Sequence, residues 1–303
     1  GLSGLYRRFR PDVVSVNVQR AVRLGALAMR NRVAAIVERR GLLLPVKTSL
    51  LNRWIYRRRV DRVVANCGAI ADSLVESGLV PRKRVSVIPN GIALSRAAAS
   101  PEEADRVRSE LGGAGSELVS VIGRLVPDKG HADALRAFGI LRKRRPRARL
   151  LVVGAGKLAA ELRREAAEAG LADSVVFTGR RDDVPAILAA SDAVLVSSLR
   201  EGMPHVVLEA MAAGAPIVAT SVAGIPEMLE DGRDGFLVPP ADPPAAARAL
   251  ERLLADDGLA DSLATSAGRR VASEFSLETM IDRFETLFAE ESGAGRRSGR
   301  GAG

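Results

Sequence analysis

Cysteine is nearly absent from this chain: Cys67 stands alone in 303 residues. That excludes an intrachain disulfide scaffold and a cysteine-built metal cage. It also fits a cytoplasmic protein. Histidine is almost as scarce, with only His131 and His205, so no histidine-rich metal site is expected. Aromatic residues make up 3%, too few for the stacking platforms that hold single-stranded nucleic acid. No apolar run reaches the roughly 18 residues needed to span a bilayer. No signal peptide is visible: Gly1–Arg10 is basic, but no apolar segment follows it. The chain opens on Gly1 and moves almost at once into what reads as a strand, so a preceding N-terminal portion is expected.

What is present describes a globular protein. Hydrophobic residues are 47% and charged residues 27%, and the length allows about two domains. The formal charge is +9, and every basic residue except Lys47, Lys83, Lys129, Lys143 and Lys157 is arginine. Such a balance fits anionic partners, or else a solvated arginine-rich surface.

Short β-branched runs alternate with helical stretches along the chain. The predicted strands include Asp12–Val16, Val33–Val37, Arg62–Ala65, Leu118–Ile122, Arg149–Val153, Ser174–Phe177, Ala193–Val196 and Pro216–Ala219. Continuous apolar strands alternating with helices imply parallel sheets covered on both faces. A break falls near Pro89-Asn90-Gly91, and Ala97–Gly115 reads as a linker with a short helix at Glu102–Leu111. The expected organisation is residues 1–95, residues 96–275, a helix over 276–291 and a disordered tail over 292–303. Met280, Ile281, Phe284, Leu287 and Phe288 make that helix amphipathic. Arg296, Arg297 and Arg300 in the tail are read as solvated charge, and no nucleic-acid partner is expected.

Two segments carry chemistry. The first is Glu201-Gly202-Met203-Pro204-His205-Val206-Val207-Leu208-Glu209, after the run Ala193–Val196. A strand, a Gly-Met-Pro turn and a helix start would leave free amides around Met203–Val206, an anion site. Glu209 would lie roughly 6–8 Å into the helix, a reach suited to ribose hydroxyls when a diphosphate sits at the helix end. Glu201 would face the other side of that anion site. Alternatively, both glutamates are ordinary surface charges.

The second segment is Gly123-Arg124-Leu125-Val126-Pro127-Asp128-Lys129-Gly130, after Leu118–Ile122. A loop at the carboxyl end of a parallel strand faces the ligand crevice. Arg124 can bind phosphate oxygens in a fork and Lys129 as a point charge. The segment is no Walker A loop, because Lys129 is neither preceded by Gly nor followed by Ser or Thr.

Gly123-Arg124 with Lys129-Gly130, Glu201-x7-Glu209 and Pro89-Asn90-Gly91 together resemble the retaining glycosyltransferase family 4. Val153–Gly156, Phe177–Arg180, Gly214–Thr220, Gly224–Glu227 and Gly235–Val238 are family-like too. The resemblance implies an α/β fold of GT-B type: two Rossmann-like domains with parallel sheets, the first one incomplete, and a final helix that crosses back to it. It implies transfer of a sugar, with retention, from a nucleotide-diphosphate-sugar donor to a glycan or lipid-linked acceptor, without metal or cofactor. Arg124 and Lys129 would hold the diphosphate, Glu201 the donor sugar and Glu209 the ribose. Gly123, Gly154, Gly202, Met203, Pro204, His205 and Val206 would border the donor, and Thr178, Gly179 and Arg180 would lie by the base. Envelope polysaccharide or lipopolysaccharide synthesis is the implied setting. The first domain departs from the pattern. The family often carries histidines after the strands matching Asp12–Val16 and Val33–Val37, where this chain has Asn17 and Glu38-Arg39-Arg40. Glu38 and Arg40 are read as loop charges, with substrate contact as the alternative.

Weaker signals have plainer readings. Gly154-Ala155-Gly156-Lys157-Leu158-Ala159 fits a dinucleotide fingerprint, but no acidic residue ends the next strand, so an NAD enzyme is not favoured. His131 is expected at the surface, and His205 is expected to matter through its amide. Cys67 reads as a buried small residue. Leu50, Leu51, Trp54 and Ile55 share a helical face beside Arg53, Arg57, Arg58 and Arg59. That face is either a core face or, through Leu50, Trp54, Arg57 and Arg58, a contact with an anionic membrane surface. The competing functions are a donor-binding module without turnover and a nucleotide-sugar epimerase of the same fold.

Overall fold

The computed structural model describes residues 1–29, 34–43, 48–112 and 115–298. Val33, Lys47 and Arg300, named above, lie outside the described residues. The chain forms two units, Gly1–Asn90 with Glu278–Gly303, and Gly91–Leu277.

The first unit runs α1 (Leu2–Phe9), β1 (Val13–Val16), α2 (Gln19–Ala28), β2 (Ala35–Arg40), α3 (Leu50–Arg58), β3 (Arg62–Ala65), α4 (Gly68–Glu76) and β4 (Val85–Val87). Its strands form one parallel sheet in the order β1-β2-β3-β4. Ile36, Val63 and Ala65 on one face pack with Val22, Ile55, Tyr56, Cys67 and Ile70. Val37, Val64 and Ile88 on the other face meet Met280, Phe284 and Leu287 of the final helix. The two-residue period of the strands thus buries both faces. At the end of α3, Arg84 donates to the carbonyls of Tyr56 (3.1 Å), Arg57 (3.2 Å) and Val60 (3.1 Å). That satisfies acceptors which a helix terminus leaves open.

The second unit runs α5 (Leu94–Ala97), α6 (Pro101–Val107), β5 (Glu117–Ile122), α7 (His131–Arg142), β6 (Ala148–Val153), α8 (Ala159–Glu168), β7 (Val175–Gly179), α9 (Val184–Ala189), β8 (Ala193–Val196), α10 (His205–Ala212), β9 (Ile217–Thr220), α11 (Ile225–Met228), β10 (Phe236–Val238), α12 (Pro243–Ala255) and α13 (Asp257–Glu274). The final helix is α14 (Leu277–Ser298). The sheet is parallel, in the order β10-β9-β8-β5-β6-β7. After β5 the chain winds to one side, and from β8 it winds to the other. The order therefore reverses between β5 and β8, and loops at the carboxyl ends of these two strands border a crevice.

Several expectations are corrected. Strand β2 runs to Arg40, so Glu38 and Arg40 are strand residues and not loop charges. Glu38 is 1% exposed, and its Oε1 accepts from Arg40 Nε at 3.1 Å. Burial, then the Glu38 charge, pushes the Tyr56 hydroxyl above the usual phenol range. Thr178 and Gly179 belong to β7 and do not follow it. Helices α1 and α13 were not anticipated. α1 buries no residue of its own. α13 carries buried Ala260, Leu263, Ala264, Ala267 and Val271 on a face that is mostly alanine, a weak hydrophobic signal in sequence. The expected disordered tail is helical as far as Ser298. In α3 the apolar residues divide: Ile55 joins the core with Asn52 and Tyr56, while Leu50, Leu51 and Trp54 are exposed. No helix among the described residues is long and apolar enough to cross a membrane.

Candidate functional site

The two chemical segments lie on the two loops that border the β5/β8 crevice. Residues 123–130 follow β5, and residues 197–204 follow β8. Backbone contacts clamp the loops together. The amide of Leu199 donates to the Asp128 carbonyl at 2.8 Å. The hydroxyl of Ser197 donates to the Lys129 carbonyl at 3.0 Å. Between the loops, Arg200 pairs with Asp128 at 2.8 Å.

Gly130 makes this closeness possible. Its φ is +65°, and a Cβ built there would overlap the Ser197 carbonyl oxygen. Gly154, with φ +141°, meets Gly123 in the same way, because a Cβ would overlap the Gly123 carbonyl oxygen. The β5 and β6 loops are thereby in backbone contact. Leu125 N–H donates to the Ala155 carbonyl at 3.0 Å, and Leu158 N–H to the Leu125 carbonyl at 3.1 Å.

Lys129 and Glu201 form an ion pair across the crevice, Nζ on Oε1. The same Oε1 accepts from the Ser198 hydroxyl at 2.8 Å. Glu201 is 7% exposed, so the pair is largely withdrawn from water. Arg124 differs: its guanidinium is exposed and makes no ion pair among the described residues. Helix α10 begins at His205, and no side chain caps it. The amides of His205 and Val206 thus stand at the positive end of the helix dipole, while Val207 N–H donates to the Pro204 carbonyl at 3.2 Å. Gly202, Met203 and Pro204 are buried beneath this turn, while His205 is exposed and Val206 half-buried.

Glu209 lies one turn into α10, half-buried, with no hydrogen bond from its carboxylate among the described residues. Burial pushes its pKa up, and His205 opposes this in part. A partly desolvated carboxylate without a partner is suited to accept from hydroxyl groups. Thr178, Gly179 and Arg180 stand at the end of β7, next to the β6 loop. Gly154 N–H donates to the Gly179 carbonyl at 2.8 Å. Arg180 is exposed and meets Asp182 at 3.5 Å.

Sequence reasoning misplaced His131. It is 2% exposed, not at the surface, and its Nε2 lies 3.1 Å from the Arg124 carbonyl oxygen. Burial, then the Lys129 charge, outweighs that contact and holds its pKa below the usual value. Its position at the start of α7, directly after Gly130, was the available signal. The other omissions, Ser197 and Ser198, had none, because serines after a strand are common.

Comparison with known proteins follows the same division of the chain. The family described as Glycosyl transferases group 1 matches residues 116–256, and that described as Glycosyltransferase Family 4 matches residues 1–96. A lipopolysaccharide core biosynthesis glycosyltransferase, LpsE of Rhizobium meliloti, is 30% identical over 94% of this chain and 78% of its own length. A D-inositol 3-phosphate glycosyltransferase of Salinispora arenicola is 36% identical over 76% of this chain, which spans 55% of that relative. Among solved structures, Anabaena Alr3699/HepE in complex with UDP superposes with a TM-score of 0.88. It is 25% identical, over 95% of this chain and 81% of that one. Sucrose-phosphate synthase from Thermosynechococcus elongatus, 22% identical, shares the fold with a TM-score of 0.83 over 97% of this chain and 77% of its own.

Proposed function

We propose, from the premise that this chain belongs to glycosyltransferase family 4, that its second unit binds a nucleoside-diphosphate sugar in the β5/β8 crevice and transfers the sugar with retention. The observation that carries this reading is the pairing of Lys129 with Glu201 between two loops clamped by backbone contacts. The anomeric bond to the diphosphate breaks, and a bond from the same carbon to an acceptor hydroxyl forms on the same face. The hydroxyl proton leaves with the diphosphate. Arg124, Lys129 and the α10 amides stabilise the charge that develops on the departing oxygens, which serves where other enzymes use a cation. Glu201 positions the sugar, and Glu209 accepts from the ribose. Thr178, Gly179 and Arg180 border the base.

The acceptor is assigned as a glycan or lipid-linked glycan, and the setting as envelope polysaccharide or lipopolysaccharide synthesis on the cytoplasmic side. LpsE is named for lipopolysaccharide core synthesis. In α3, Leu50 is 87% and Trp54 44% exposed beside exposed Arg57 and Arg58. That combination suits an anionic membrane surface.

The test is nucleotide binding by thermal shift and calorimetry with UDP, GDP, ADP and NAD, on the wild type and Arg124→Ala. Ligand at about 100 times its dissociation constant adds about 2.7 kcal/mol. One nucleoside diphosphate is expected to raise the midpoint by several degrees, with the rise largely lost in the variant. A response to NAD alone would overturn the reading. With the matching sugar donor, a new glycoside supports transfer, an isomerised sugar an epimerase, and binding without turnover a donor module. Phosphatidylglycerol vesicles are expected to sediment the protein, and Trp54→Ala less of it. Equal sedimentation removes the membrane part.

Glu209 gives this site a pH dependence. Ribose hydroxyls need the ionised carboxylate, so donor affinity is expected to fall as pH drops through its raised pKa. Glu209→Gln should weaken donor binding by about 1–3 kcal/mol and flatten that profile. Free of ligand, the folded state prefers the protonated carboxyl. Its stabilising contribution is therefore present below the ordinary carboxylate pKa and lost as pH rises through the raised one. Glu209→Gln should thus melt higher than wild type at neutral pH. A lower midpoint together with unchanged affinity would remove Glu209 from the site.

A further inference from the structure

We propose that His131 is a positioning residue of the diphosphate loop: its imidazole donates from Nε2 to the Arg124 carbonyl and so sets the direction of the Arg124 guanidinium. The proposal rests on the donor site assigned above.

A carbonyl oxygen can only accept, so the nitrogen 3.1 Å from it must carry the proton. Burial favours the neutral ring, and in a neutral ring that donates from Nε2 the Nδ1 is bare. Nδ1 is buried and has no hydrogen-bond partner among the described residues, so this side of the ring is a cost to the fold. A leucine or phenylalanine would fill the space without that cost. What the histidine supplies is therefore its Nε2 donor.

Arg124 has need of such an anchor. Its guanidinium makes no ion pair among the described residues, so its backbone is the part of it that the fold holds. The residues on either side are pinned: Gly123 N–H donates to the Val153 carbonyl at 2.9 Å, and Leu125 N–H to the Ala155 carbonyl at 3.0 Å. The intervening peptide is held through its oxygen. One donor is Val126 N–H at 2.8 Å, which closes a three-residue turn. The other is His131, the first residue of α7. The imidazole thus ties Arg124 to a helix that packs in the core of the second unit through Ala134, Leu135 and Phe138. Lys129 and Gly130, directly before it in the chain, carry the other phosphate-facing charge and the close approach to Ser197. One short segment therefore orients both cations.

Two measurements decide this. The chain has two histidines, so nitrogen NMR of 15N-histidine protein, with His205→Gln for assignment, resolves the His131 ring. A protonated Nε2 with a bare Nδ1 near neutral pH is expected, and the opposite tautomer would overturn the proposal. This readout stands whether or not any His131 variant folds. The second is a cycle of UDP and GDP titrations on the wild type, His131→Phe, His131→Gln and Arg124→Ala, and on the combinations with Arg124→Ala. His131→Phe should weaken the nucleotide that binds by about five- to tenfold, and His131→Gln, which retains a donor, by about twofold or less. In the Arg124→Ala background, His131→Phe should change affinity by about twofold or less, because it acts through that arginine. Equal losses in both backgrounds would make His131 a merely structural residue. No loss in either would leave it without a role. If the wild type binds neither nucleotide, the donor site falls and this proposal with it. If the wild type binds and the variants match it, only this proposal falls.

Discussion

Gly130→Ala is expected to lose about 3 kcal/mol or more of stability in the second unit. A left-handed φ for a residue with a Cβ costs about 1–3 kcal/mol by itself. Gly130 has φ +65°, and the added methyl would also overlap the Ser197 carbonyl oxygen. A backbone carbonyl at the end of β8 cannot turn aside as a side chain does, so the 123–130 loop must retreat. For a unit of about 150–250 residues, the midpoint should drop by about 6 °C or more. Nucleotide binding should fail in the fraction that remains folded, because Lys129 and Glu201 would separate. Thermal unfolding of the ligand-free protein checks the first part and calorimetry the second. A midpoint within about 2 °C of wild type, with nucleotide affinity intact, would mean that the close approach is dispensable. Gly170, which has φ +70° but nothing within 4 Å of a built Cβ, serves as the control. The same substitution there should carry the conformational cost alone.

Removing Lys129 is the second large effect, and it should depend strongly on what stands at 201. Glu201 is buried, with Oε1 held by Lys129 and Ser198. Lys129→Ala leaves that carboxylate with a neutral hydroxyl as its remaining partner. Losing one member of a buried ion pair costs about 3–5 kcal/mol, mostly as the penalty on the charge left behind. Glu201→Gln should cost less, because the Lys129 side chain is 21% exposed against 8% for Glu201 and can turn to water. The double variant should recover much of the Lys129→Ala loss, with a coupling energy of about 1–3 kcal/mol. Sugar transfer should stay abolished in all three, since the double variant restores neutrality but neither functional group. Denaturant unfolding of the four proteins, paired with a transfer assay, makes this test. Additive stabilities would mean that the pair is open to solvent. Transfer by the double variant would remove both residues from the reaction.

The alternation of apolar strands with helices carried most of the architecture. β3 and β8 fall where the β-branched runs Arg62–Ala65 and Ala193–Val196 lie. Both faces of a parallel sheet are covered, so these runs are continuous and easily separated from helical stretches. The misses have separate causes. Glu38 and Arg40 ended the predicted strand because charged residues normally mark a loop. In the fold each offsets the other's burial, so the strand continues through them. α13 escaped because alanine, small and only weakly apolar, supplies much of its buried face. α1 escaped because none of its residues is fully buried and only Tyr6 packs against the core.

For the site, the local order of residues was sufficient to pick out Gly123, Arg124 and Lys129 as one group and Glu201 to Glu209 as another. Each group occupies a strand–turn–helix junction, and that junction follows from turn residues between a strand and a helix. What the sequence could not contain is the distance between the groups. They are some seventy positions apart in the chain, and they meet only because β8 inserts beside β5 in the sheet. Strand order arises from the packing of whole helices against the sheet, which no single segment encodes. That order decided that Lys129 pairs with Glu201, and that Gly130 must lack a side chain. The contact of His131 with the Arg124 carbonyl, by contrast, spans seven positions of one segment, and it needed the fold of the loop rather than the strand order.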